Sequence, residues 1–588
     1  MVRFKRISGS QIFFECLKNE KVKTIFGYPG GAVLPFYDTL YDIEDIEHVL
    51  VRHEQGAVHM AEGYAKATGK TGVVLVTSGP GATNTVTGIT DAFMDSIPIV
   101  IFTGQVPRSF LGLDSFQEAD VIGVTRPITK WNKLVRSPQE LLEAIPKAFK
   151  IANDGRPGPV LIDIPKDVAL EEFNFEGFSK KESTYKSEPK DLPNKIQVYS
   201  KIVNAFKNSQ RPLLYFGGGV IQSEASKELK EFVELTNIPF TSTLQGLGGL
   251  PGDHPNSLGM LGMHGTYASN MAVDHCDLLL VLGARFDDRV TGKTSLFSKN
   301  SYKVHFDIDP SNMDKTIQCD FRVEGDIKYN LKSLLPHLRR EKDLKKTVEK
   351  QNPWWKQISH WKKECPLLVN KKELGATLIL SKLNQILKKN KTKFSVVTDV
   401  GQNQMWASQY LHFQRPKTHI TSGGLGTMGF SVPAAIGAAF GKTEENLKKC
   451  EKEEELVISI SGDGGFQMNM QELITAATYK ISVKFIVLNN SYLGMVRQWQ
   501  ELFHKERFSF TSLEGANPDF CLLAESMGIH SKRLDNLDDV ENAIQWLLSP
   551  GIKLLECVIP QEEMVFPIIP SNSSIKDIIT ERFSKEEK

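Results

Sequence analysis

The clearest structural pattern in the chain is Val457-Ile458-Ser459-Ile460-Ser461-Gly462-Asp463-Gly464-Gly465-Phe466. A short apolar, β-branched run ends in a glycine-rich turn, which is typical of a buried parallel strand that leads into a helix. A second run of this kind, Phe485-Ile486-Val487-Leu488, lies about one helix and one strand further along the chain. The order strand, helix, strand predicts an α/β unit with a parallel sheet.

The same rhythm recurs through the rest of the chain. A helix is predicted from Glu54 to Thr68, because its small and apolar side chains fall on one stripe and Gly69 is a typical stop. The predicted fold class is therefore α/β with parallel sheets. Further strands are predicted at Val73–Val76, Ile99–Phe102, Leu213–Phe216 and Leu278–Leu282.

The length of the chain requires several domains. A chain of 588 residues is too long for one hydrophobic core, and we expect three domains, each with a central parallel sheet flanked by helices. Two polar stretches, 171–194 and 338–372, are interpreted as linkers. They divide the chain into predicted domains at 1–170, 190–340 and 373–545, followed by a C-terminal tail at 546–588 over the active site. No short-period repeat is present, which excludes solenoids and propellers.

The composition narrows the possible functions. A net charge of +1 provides no field that would draw the chain to nucleic acid or to an anionic membrane. The seven cysteines include no Cys-x-x-Cys pair, which favours a reducing compartment without a zinc site or a disulfide framework. No apolar run reaches the roughly 18 residues of a membrane span, and the start shows no signal or transit peptide. We therefore expect the protein to work where it is made.

A weaker signal concerns the origin of the chain. Lysine outnumbers arginine, and Asn and Ile are frequent, as AT-rich genomes tend to dictate. An ordinary surface composition explains this pattern equally well. The expected location is the plastid stroma if the chain is encoded in a plastid genome, and the bacterial cytoplasm otherwise.

The turn at Asp463 predicts a site for a metal ion and a diphosphate. Asn490 follows one helix and one strand later, so both residues can lie at the carboxyl edge of one parallel sheet. Mg²⁺ takes oxygen ligands, which Asp463, the Asn490 amide and the backbone carbonyl of Tyr492 can supply. Gly464 and Gly465 let the backbone approach a diphosphate at the helix N-terminus. Taken alone, the Gly-Asp-Gly turn is more often a simple helix cap.

Glu54 is a second candidate for chemistry. It lies in Arg52-His53-Glu54-Gln55-Gly56, where a strand becomes a helix. A glutamate in a first helical turn usually only complements the helix dipole. Its position by itself therefore does not decide between a catalytic and a structural role.

Taken together, the motifs resemble acetolactate synthase, a family of thiamine-diphosphate-dependent enzymes, along nearly the whole chain. The Gly-Asp-Gly turn followed by Asn489-Asn490 is similar to the signature of thiamine-diphosphate enzymes in general. The narrower resemblance is carried by Gly27–Ala32, Ser78–Asn84, Gly104–Arg108, Phe116–Glu118, Gly262–Gly265, Arg285–Arg289 and Leu493–Trp499.

The resemblance implies a thiamine diphosphate site with Mg²⁺. In this family the residue that matches Glu54 hydrogen-bonds the pyrimidine ring of the cofactor, and the residue that matches Met428 bends the cofactor. Asn403 stands where relatives often have His. The implied binding residues are Glu54, Pro80, Asn84, Val400, Gly401, Gln402, Asn403, Gly426, Met428, Asp463, Gly464, Gly465 and Asn490, with Asp463, Asn490 and the Tyr492 carbonyl on the metal.

The resemblance also implies FAD in the middle domain, as a structural cofactor that does not cycle between redox states. The run Gly217-Gly218-Gly219 follows a predicted strand but lacks dinucleotide-fingerprint spacing, so this expectation depends on the resemblance. The implied FAD-binding residues are Arg156, His264, Gly265, Gly283, Ala284, Arg285, Asp307, Ile308, Asp309, Gly325 and Asp326.

The implied reaction decarboxylates pyruvate and joins the two-carbon remainder to a second pyruvate or to 2-ketobutyrate, in branched-chain amino-acid biosynthesis. Arg289 would hold the carboxylate of the acceptor and Trp499 its extra methyl group. Gly31, Phe116 and Gln117 would complete the pocket. The family works as a homodimer with active sites at the interface, usually with a small regulatory subunit.

In the same family, sulfonylurea and imidazolinone herbicides bind in the channel that leads to the active site. The residues that match this channel are Ala32, Pro107, Asp288, Trp499 and Ser571. Two other functions stay open at this point. One is a sister enzyme such as pyruvate oxidase, and the other is an inactive cofactor-binding regulatory protein.

Overall fold

The computed structural model describes residues 5–178, 195–449 and 455–581. Within them the chain forms three six-stranded sheets in which every strand pair is parallel, and helices cover the sheets. The predicted α/β fold class with three parallel-sheet domains is confirmed. Within the described ranges, no helix is both long and apolar enough to cross a membrane.

The first sheet lies in the N-terminal domain. Its strands occur in the order β3-β2-β4-β5-β7-β6, while β1 and β8 form a separate antiparallel pair. The elements are β1 Lys5–Ser8, α1 Gly9–Asn19, β2 Thr24–Tyr28, α2 Leu34–Leu40, β3 Glu47–Leu50, α3 Glu54–Thr68, β4 Gly72–Val76, α4 Pro80–Thr83, α5 Val86–Asp95, β5 Ile99–Gln105, α6 Val121–Thr125, β6 Trp131–Leu134, α7 Pro138–Asn153, β7 Val160–Pro165, α8 Lys166–Leu170 and β8 Glu172–Phe175.

The second sheet lies in the middle domain, with strand order β11-β10-β9-β12-β13-β14. The elements are α9 Lys195–Asn208, β9 Pro212–Phe216, α10 Gly218–Gln222, α11 Ser226–Thr236, β10 Phe240–Ser242, β11 Ser257–Met260, α12 Tyr267–His275, β12 Leu278–Leu282, α13 Asp288–Thr291, β13 Tyr302–Asp307, β14 Phe321–Glu324, α14 Ile327–Arg339, α15 Leu344–Lys350 and α16 Asn352–Glu364.

The third sheet lies in the C-terminal domain, with strand order β16-β15-β17-β18-β20-β19. The elements are α17 Ala376–Lys389, β15 Phe394–Thr398, α18 Gln402–Tyr410, β16 His419–Thr421, α19 Ser431–Lys449, β17 Leu456–Gly462, α20 Asp463–Met468, α21 Leu473–Thr478, β18 Val483–Asn489, α22 Gly494–Phe503, α23 Phe520–Ser526, β19 His530–Leu534, α24 Val540–Leu548 and β20 Lys553–Val558. Short 3-10 turns lie at Arg108–Phe110, Arg126–Ile128, Leu244–Gly246, Pro310–Asn312, Met470–Glu472, Leu537–Asp539 and Ile575–Asp577.

The N-terminal and C-terminal domains share one hydrophobic core, because α3 and α19 cross at very short distance. A Cβ atom added at Gly63 would lie 2.0 Å from the carbonyl oxygen of Ala434, and one at Gly437 would lie 1.9 Å from that of Met60. Glycine at both positions therefore lets the two backbones touch. The predicted helix from Glu54 to Thr68 is confirmed, and it ends at Gly69 with φ +76°.

Both predicted linkers differ from the structure. The stretch 338–372 contains α15 and α16, and Trp354, Ile358 and Trp361 of α16 are buried against the middle sheet. The linker interpretation of this stretch was wrong. Its many lysines and glutamates gave it a polar composition, and the three buried residues at helical spacing were too few to change that composition. In the stretch 171–194, Glu172–Phe175 is a strand paired with β1, and 179–194 lies outside the described residues.

The predicted start of the tail at 546 also needs correction. It cuts through α24, and it would assign β20 to the tail although β20 pairs with both β18 and β19 in the third sheet. The separate tail therefore begins after Val558. Its backbone returns to the middle domain, where the Ile569 backbone N–H donates to the Met263 carbonyl at 2.8 Å.

Candidate active site

Glu54 is the first residue of α3, and its carboxylate is held in place. The side-chain amide of Asn84 donates to Glu54 Oε2 at 2.9 Å. His53 caps the helix, since its ring accepts the Gln55 backbone N–H at 3.1 Å. The structure therefore brings together two of the predicted thiamine diphosphate residues, Glu54 and Asn84. Asn84 binds only one oxygen of the Glu54 carboxylate, Oε2, and does not engage Oε1.

The backbone that leads to Glu54 is fixed by the C-terminal domain. Glu472 accepts the backbone N–H groups of Arg52 and His53 at 2.9 and 3.1 Å, and the Thr475 hydroxyl donates to its second oxygen at 2.7 Å. Burial raises the pKa of Glu472, which these hydrogen bonds oppose. A glutamate of one domain thus sets the position of the candidate catalytic glutamate of another.

The other predicted N-terminal residues lie on an open face of the same domain. The side chain of Phe116 is 88% exposed, and a Cβ added at Gly31 would meet no atom within 4 Å. Gln117 has φ +60° and its backbone lies against Gly79. The N-terminal half-site is defined here as Gly31, Glu54, Pro80, Asn84, Phe116 and Gln117.

Asp463 occupies the carboxyl end of β17, as its motif predicts. The backbone N–H of Gly464 donates to Oδ1 at 3.0 Å, and the Asn517 side chain donates to Oδ2 at 2.9 Å. Only 1% of Asp463 is exposed, and burial raises the pKa of its carboxyl to about 6. A nearby cation would counter this effect, because it favours the charged carboxylate.

Asn490 lies beside Asp463 at the end of the neighbouring strand β18. Its side chain accepts the Tyr492 backbone N–H at 3.1 Å and donates to Gln402 Oε1 at 3.3 Å. Gln402 in turn donates to Gln498 and to the Glu563 carbonyl, at 3.0 Å each. This chain of amides orients Asn490 from behind.

The residues around Asp463 fit a hard cation and a diphosphate. Carboxylate and amide oxygens at one sheet edge are the ligands that Mg²⁺ prefers. The turn at Gly401 has φ +126° and the one at Gly426 has φ +75°, so glycine is needed at both. The Asn403 side chain is buried, and its Oδ1 has no hydrogen-bond partner in the described structure. The C-terminal half-site is defined here as Val400, Gly401, Gln402, Asn403, Gly426, Met428, Asp463, Gly464, Gly465, Asn490 and Tyr492.

Met428 lies close to the turn at Asp463. A Cβ added at Gly464 would lie 3.6 Å from Met428 Cε and 2.7 Å from Leu493 Cδ2. The thioether therefore approaches the glycine turn from the end of the loop 422–427, which Met428 follows directly. An unbranched apolar side chain in this place can pack against a flat ligand.

A cavity of about 1410 Å³ lies where the three domains meet. Its size suits a large cofactor together with a substrate path. Val400, Gly401 and Gly426 of the C-terminal half-site are part of its wall. Among the predicted FAD residues, its wall includes Arg156, His264, Gly283, Ala284, Arg285, Asp307, Ile308, Gly325 and Asp326.

Two predicted FAD residues, Gly265 and Asp309, are not part of the cavity wall. Gly265 is in a tight turn, where an added Cβ would lie 2.5 Å from the Leu261 backbone. Asp309 pairs with Arg156 at 3.6 Å and accepts from Ser311. Both therefore support neighbours that line the cavity.

Charges of both signs face this cavity. Burial raises the pKa of Asp307 to about 6, whereas burial and the nearby Arg285 lower the pKa of Arg156. Burial also lowers the pKa of His264 to about 4, and its Nδ1 has no hydrogen-bond partner in the described structure. A ligand with donors, acceptors and negative charge would satisfy these groups.

Arg289 and Trp499 lie on the wall of the same cavity. The Arg289 guanidinium is largely exposed and donates to the Ser571 hydroxyl at 3.0 Å. Trp499 is half-buried, with its ring centroid 4.9 Å from that of Phe503. The structure places Trp499 at the cavity and not in a closed core.

The six residues of the N-terminal half-site are absent from the wall of this cavity. Among the described residues, the hydrogen bonds of Asp463 go to its own domain, whereas the one to Glu54 comes from Asn84. Within one chain, therefore, the N-terminal half-site does not share this cavity with Val400, Gly401 and Gly426 of the C-terminal half-site.

Three family matches cover the three sheets. The chain matches the N-terminal TPP binding domain of thiamine pyrophosphate enzymes at 7–124, the central domain at 199–334 and the C-terminal TPP binding domain at 399–557.

The similarity to individual proteins extends over almost the whole chain. It is 43% identical over 576 residues to the acetolactate synthase large subunit of Cyanidium caldarium, with 96% of each chain covered. It is 44% identical over 576 residues to the acetolactate synthase isozyme 2 large subunit of Escherichia coli (strain K12), with 97% of this chain and 99% of the relative covered. It is 41% identical over 599 residues to the mitochondrial acetolactate synthase catalytic subunit of Saccharomyces cerevisiae, with 98% of this chain and 84% of the relative covered.

The chain belongs to the acetolactate synthase large-subunit family. It is a thiamine-pyrophosphate-dependent enzyme, and the resemblance found in the sequence is confirmed. Within this family, the two halves described above correspond to the N-terminal and C-terminal TPP binding domains.

Sequence reasoning missed several residues that serve these sites. Asn517 joins Asp463 to Asn489, whose Oδ1 it reaches at 3.2 Å, yet it lies in a loop with no motif around it. The Tyr215 hydroxyl is buried without a hydrogen-bond partner in the described structure and lines the cavity. The only available signal for Tyr215 was a polar group inside the otherwise apolar strand β9.

Proposed function

We propose that this chain decarboxylates pyruvate and joins the two-carbon remainder to a second pyruvate, which gives 2-acetolactate, or to 2-ketobutyrate, which gives 2-aceto-2-hydroxybutyrate. These steps belong to valine, leucine and isoleucine biosynthesis. The main support for this proposal is that Arg289 and Trp499 line the same cavity as Val400, Gly401 and Gly426 of the C-terminal half-site. A cation and a flat apolar ring beside the thiamine site suit an acceptor that carries a carboxylate and an alkyl group.

In this proposal, Mg²⁺ and the diphosphate bind at Asp463, Asn490 and the Tyr492 carbonyl, with Gly464 and Gly465 beneath them. Thiamine diphosphate, when bound, supplies the electron sink for decarboxylation. Support comes from the buried carboxylate at Asp463 and the amides that orient Asn490.

The protein's own part in the chemistry begins with a proton. Glu54 Oε1 would exchange it with the pyrimidine ring of the cofactor, while Asn84 holds Oε2. Arg289 would bind the carboxylate of the acceptor through its guanidinium. Trp499 would pack against the acceptor's alkyl group, and its ring would help to keep water from the reacting atoms.

FAD would occupy the part of the cavity between Arg156, His264, Arg285 and Asp307. The charges and unpartnered groups there support this proposal. Carboligation moves no net electrons, so the flavin would have a structural role.

Two copies of the chain would form the complete enzyme. The N-terminal half-site of one copy would face the C-terminal half-site of the other, so that Glu54 acts beside a metal held by the second copy. Exposed apolar side chains on the N-terminal face, Phe110, Leu113 and Phe116, support such an interface. The relatives are named large or catalytic subunits, which implies a second chain in those enzymes, and we propose a small regulatory subunit here.

We further propose that herbicides of the sulfonylurea and imidazolinone classes bind at this cavity. Asp288, Trp499 and Ser571 line it. Ala32 and Pro107 are not part of its wall within one chain, and a second copy would have to supply them. The location proposed is the plastid stroma or the bacterial cytoplasm. The frequent Lys, Asn and Ile residues are compatible with an AT-rich genome of either kind, and relatives in Cyanidium caldarium and Escherichia coli support this proposal.

The deciding experiment incubates the purified chain with pyruvate, thiamine diphosphate, Mg²⁺ and FAD, and identifies the product. We expect 2-acetolactate, and a mixed product when 2-ketobutyrate is added. Acetyl phosphate with peroxide would instead indicate a pyruvate oxidase. Binding of all cofactors without turnover would indicate an inactive cofactor-binding protein.

A further inference from the structure

Two carboxylates of the N-terminal domain hold a loop that serves both the cavity and the thiamine site. Asp91 and Asp95 lie one turn apart on α5, and neither belongs to any motif of the sequence analysis. The loop they hold, 422–427, is part of the C-terminal domain. It lines the cavity through Ser422–Gly426 and leads directly to Met428.

Asp91 acts on the loop through one hydroxyl group. Ser422 Oγ donates to Asp91 Oδ1 at 2.7 Å, and both side chains are buried. The same hydroxyl oxygen accepts the backbone N–H groups of Gly426 and Thr427, at 3.1 and 2.8 Å. Ser422 therefore closes the loop on itself while Asp91 fixes the direction of its hydroxyl.

Asp95 holds the other side of the loop directly. Its Oδ2 accepts the Gly423 N–H at 3.0 Å and its Oδ1 accepts the Gly424 N–H at 2.7 Å. The Lys66 ammonium and the Gln245 amide also donate to Oδ2, at 2.6 and 2.7 Å. Since Gln245 comes from the middle domain, one carboxylate joins all three domains at the edge of the cavity.

The loop backbone fits closely against these partners. A Cβ added at Gly423 would lie 2.4 Å from Gln245 Nε2, and one at Gly424 would lie 2.9 Å from the Arg285 guanidinium and from Met94 Cβ. The loop is therefore shaped by α5 and the middle domain before any ligand arrives.

We propose that Asp91 and Asp95 are positioning residues that keep the 422–427 loop in one shape for two cofactors, so that thiamine diphosphate and FAD each meet a preformed loop. The proposal rests on the proposed function only in the identity of these two cofactors. A preformed loop makes the two binding events nearly independent, because neither ligand has to order it for the other. When the loop is released, the first cofactor bears the ordering cost and the second then binds more tightly.

The two aspartates respond differently to replacement by an amide. Asp91→Asn keeps an oxygen that accepts the Ser422 hydroxyl, so it serves as the matched control. Asp95→Asn turns an NH₂ group toward at least one N–H donor in either orientation, and it removes the charge that faces Lys66. Asp91→Leu removes the acceptor while keeping a similar volume.

The test measures binding to the full-length chain, without turnover. FAD is titrated by flavin fluorescence with and without saturating thiamine diphosphate and Mg²⁺, and thiamine diphosphate is titrated with and without FAD. The unsubstituted chain and Asp91→Asn should show affinities that change little when the other cofactor is present. In Asp95→Asn and Asp91→Leu, each affinity measured alone should fall about ten-fold or more, and the other cofactor should restore most of it.

Ser422→Ala gives the same information if a charge variant does not fold, because it removes one oxygen atom and should show the same loss and recovery. Unchanged affinities in folded Ser422→Ala and Asp91→Leu would overturn the proposal, as would a loss that the second cofactor does not restore. A loss in Asp91→Asn equal to that in Asp91→Leu would also contradict it, since the charge and not the hydrogen bond would then matter. All of these outcomes are affinities and do not depend on turnover. If the chain formed a different product from pyruvate, the proposed function would be refuted, but the binding test of Asp91 and Asp95 would still apply.

Discussion

The two half-sites of this chain differ sharply in how complete they are. Around Asp463, backbone and side-chain amides already surround a carboxylate that is 1% exposed. Around Glu54, one hydrogen bond from Asn84 holds the carboxylate in the described structure, and Phe116 of the same half-site is 88% exposed. The comparison shows that one chain surrounds the Asp463 carboxylate with hydrogen-bond donors, whereas it leaves the residues around Glu54 far more open. Under the proposed function, a second copy would cover this open side.

Replacement of Glu54 by Gln should have the largest effect and should affect chemistry alone. The amide cannot take up or release the proton at Oε1, so exchange of the cofactor's C2 hydrogen for deuterium should slow by roughly 100-fold to 10,000-fold. Binding of thiamine diphosphate should stay nearly normal. The exchange rate is measured by NMR. An unchanged rate in Glu54→Gln would contradict the proposed role of Glu54.

Replacement of Asp463 by Ala should instead weaken the binding of thiamine diphosphate strongly. The diphosphate would lose the metal that compensates its charge, and we expect thiamine diphosphate affinity to fall by about 100-fold or more, the cost of about two charge-assisted contacts. Asp535→Ala, at an exposed aspartate of the same domain, is the control. Tight Mg²⁺-dependent binding by Asp463→Ala would contradict the assignment.

A mixture of these two inactive variants tests whether the half-sites belong to different chains. In a hybrid dimer, one site would combine the intact Glu54 of one copy with the intact Asp463 of the other. Random exchange of subunits should therefore restore about a quarter of the normal activity, as expected for one intact site in half of the dimers. If both half-sites acted within one chain, the mixture would stay inactive.

Trp499→Leu should change the choice of acceptor more than the rate. Loss of the ring removes apolar contact with one methyl group, so preference for 2-ketobutyrate over pyruvate should fall by roughly ten-fold, the scale for one methylene in a pocket. The variant should also resist herbicides that bind at this wall. Competition between the two acceptors and an inhibitor titration measure both effects, and a folded variant unchanged in both would refute the placement of Trp499 in the substrate path.

The smallest effect is expected from the flavin. A redox-disabled FAD analogue of the same shape should support normal acetolactate formation, because the proposed reaction transfers no net electrons. Reconstitution of the flavin-free chain with the analogue, checked for full binding, tests this. Loss of activity with the analogue bound would show that the flavin takes part in the chemistry.

Much of the fold followed from short-range patterns. Apolar strands before glycine turns predicted the three parallel sheets, and the stripe from Glu54 to Thr68 with Gly69 as stop predicted α3 with the observed bounds. These features depend on the preferences of neighbouring residues, which the sequence states directly. The stretch 338–372 departs from its predicted linker character because a buried stripe of α16 lies among its many charged residues.

The amino-acid sequence was sufficient to predict the fold class, the family and the positions of Asp463 and Asn490 at the ends of adjacent strands. Only the tertiary structure decided that Asn517 donates to Asp463, that β20 completes the third sheet, and that Asp91 and Asp95 hold a loop more than 300 positions away. The physical reason is that strands and turns arise from local conformational preference. A hydrogen bond between distant segments depends on how whole helices pack, as α3 and α19 do through Gly63 and Gly437.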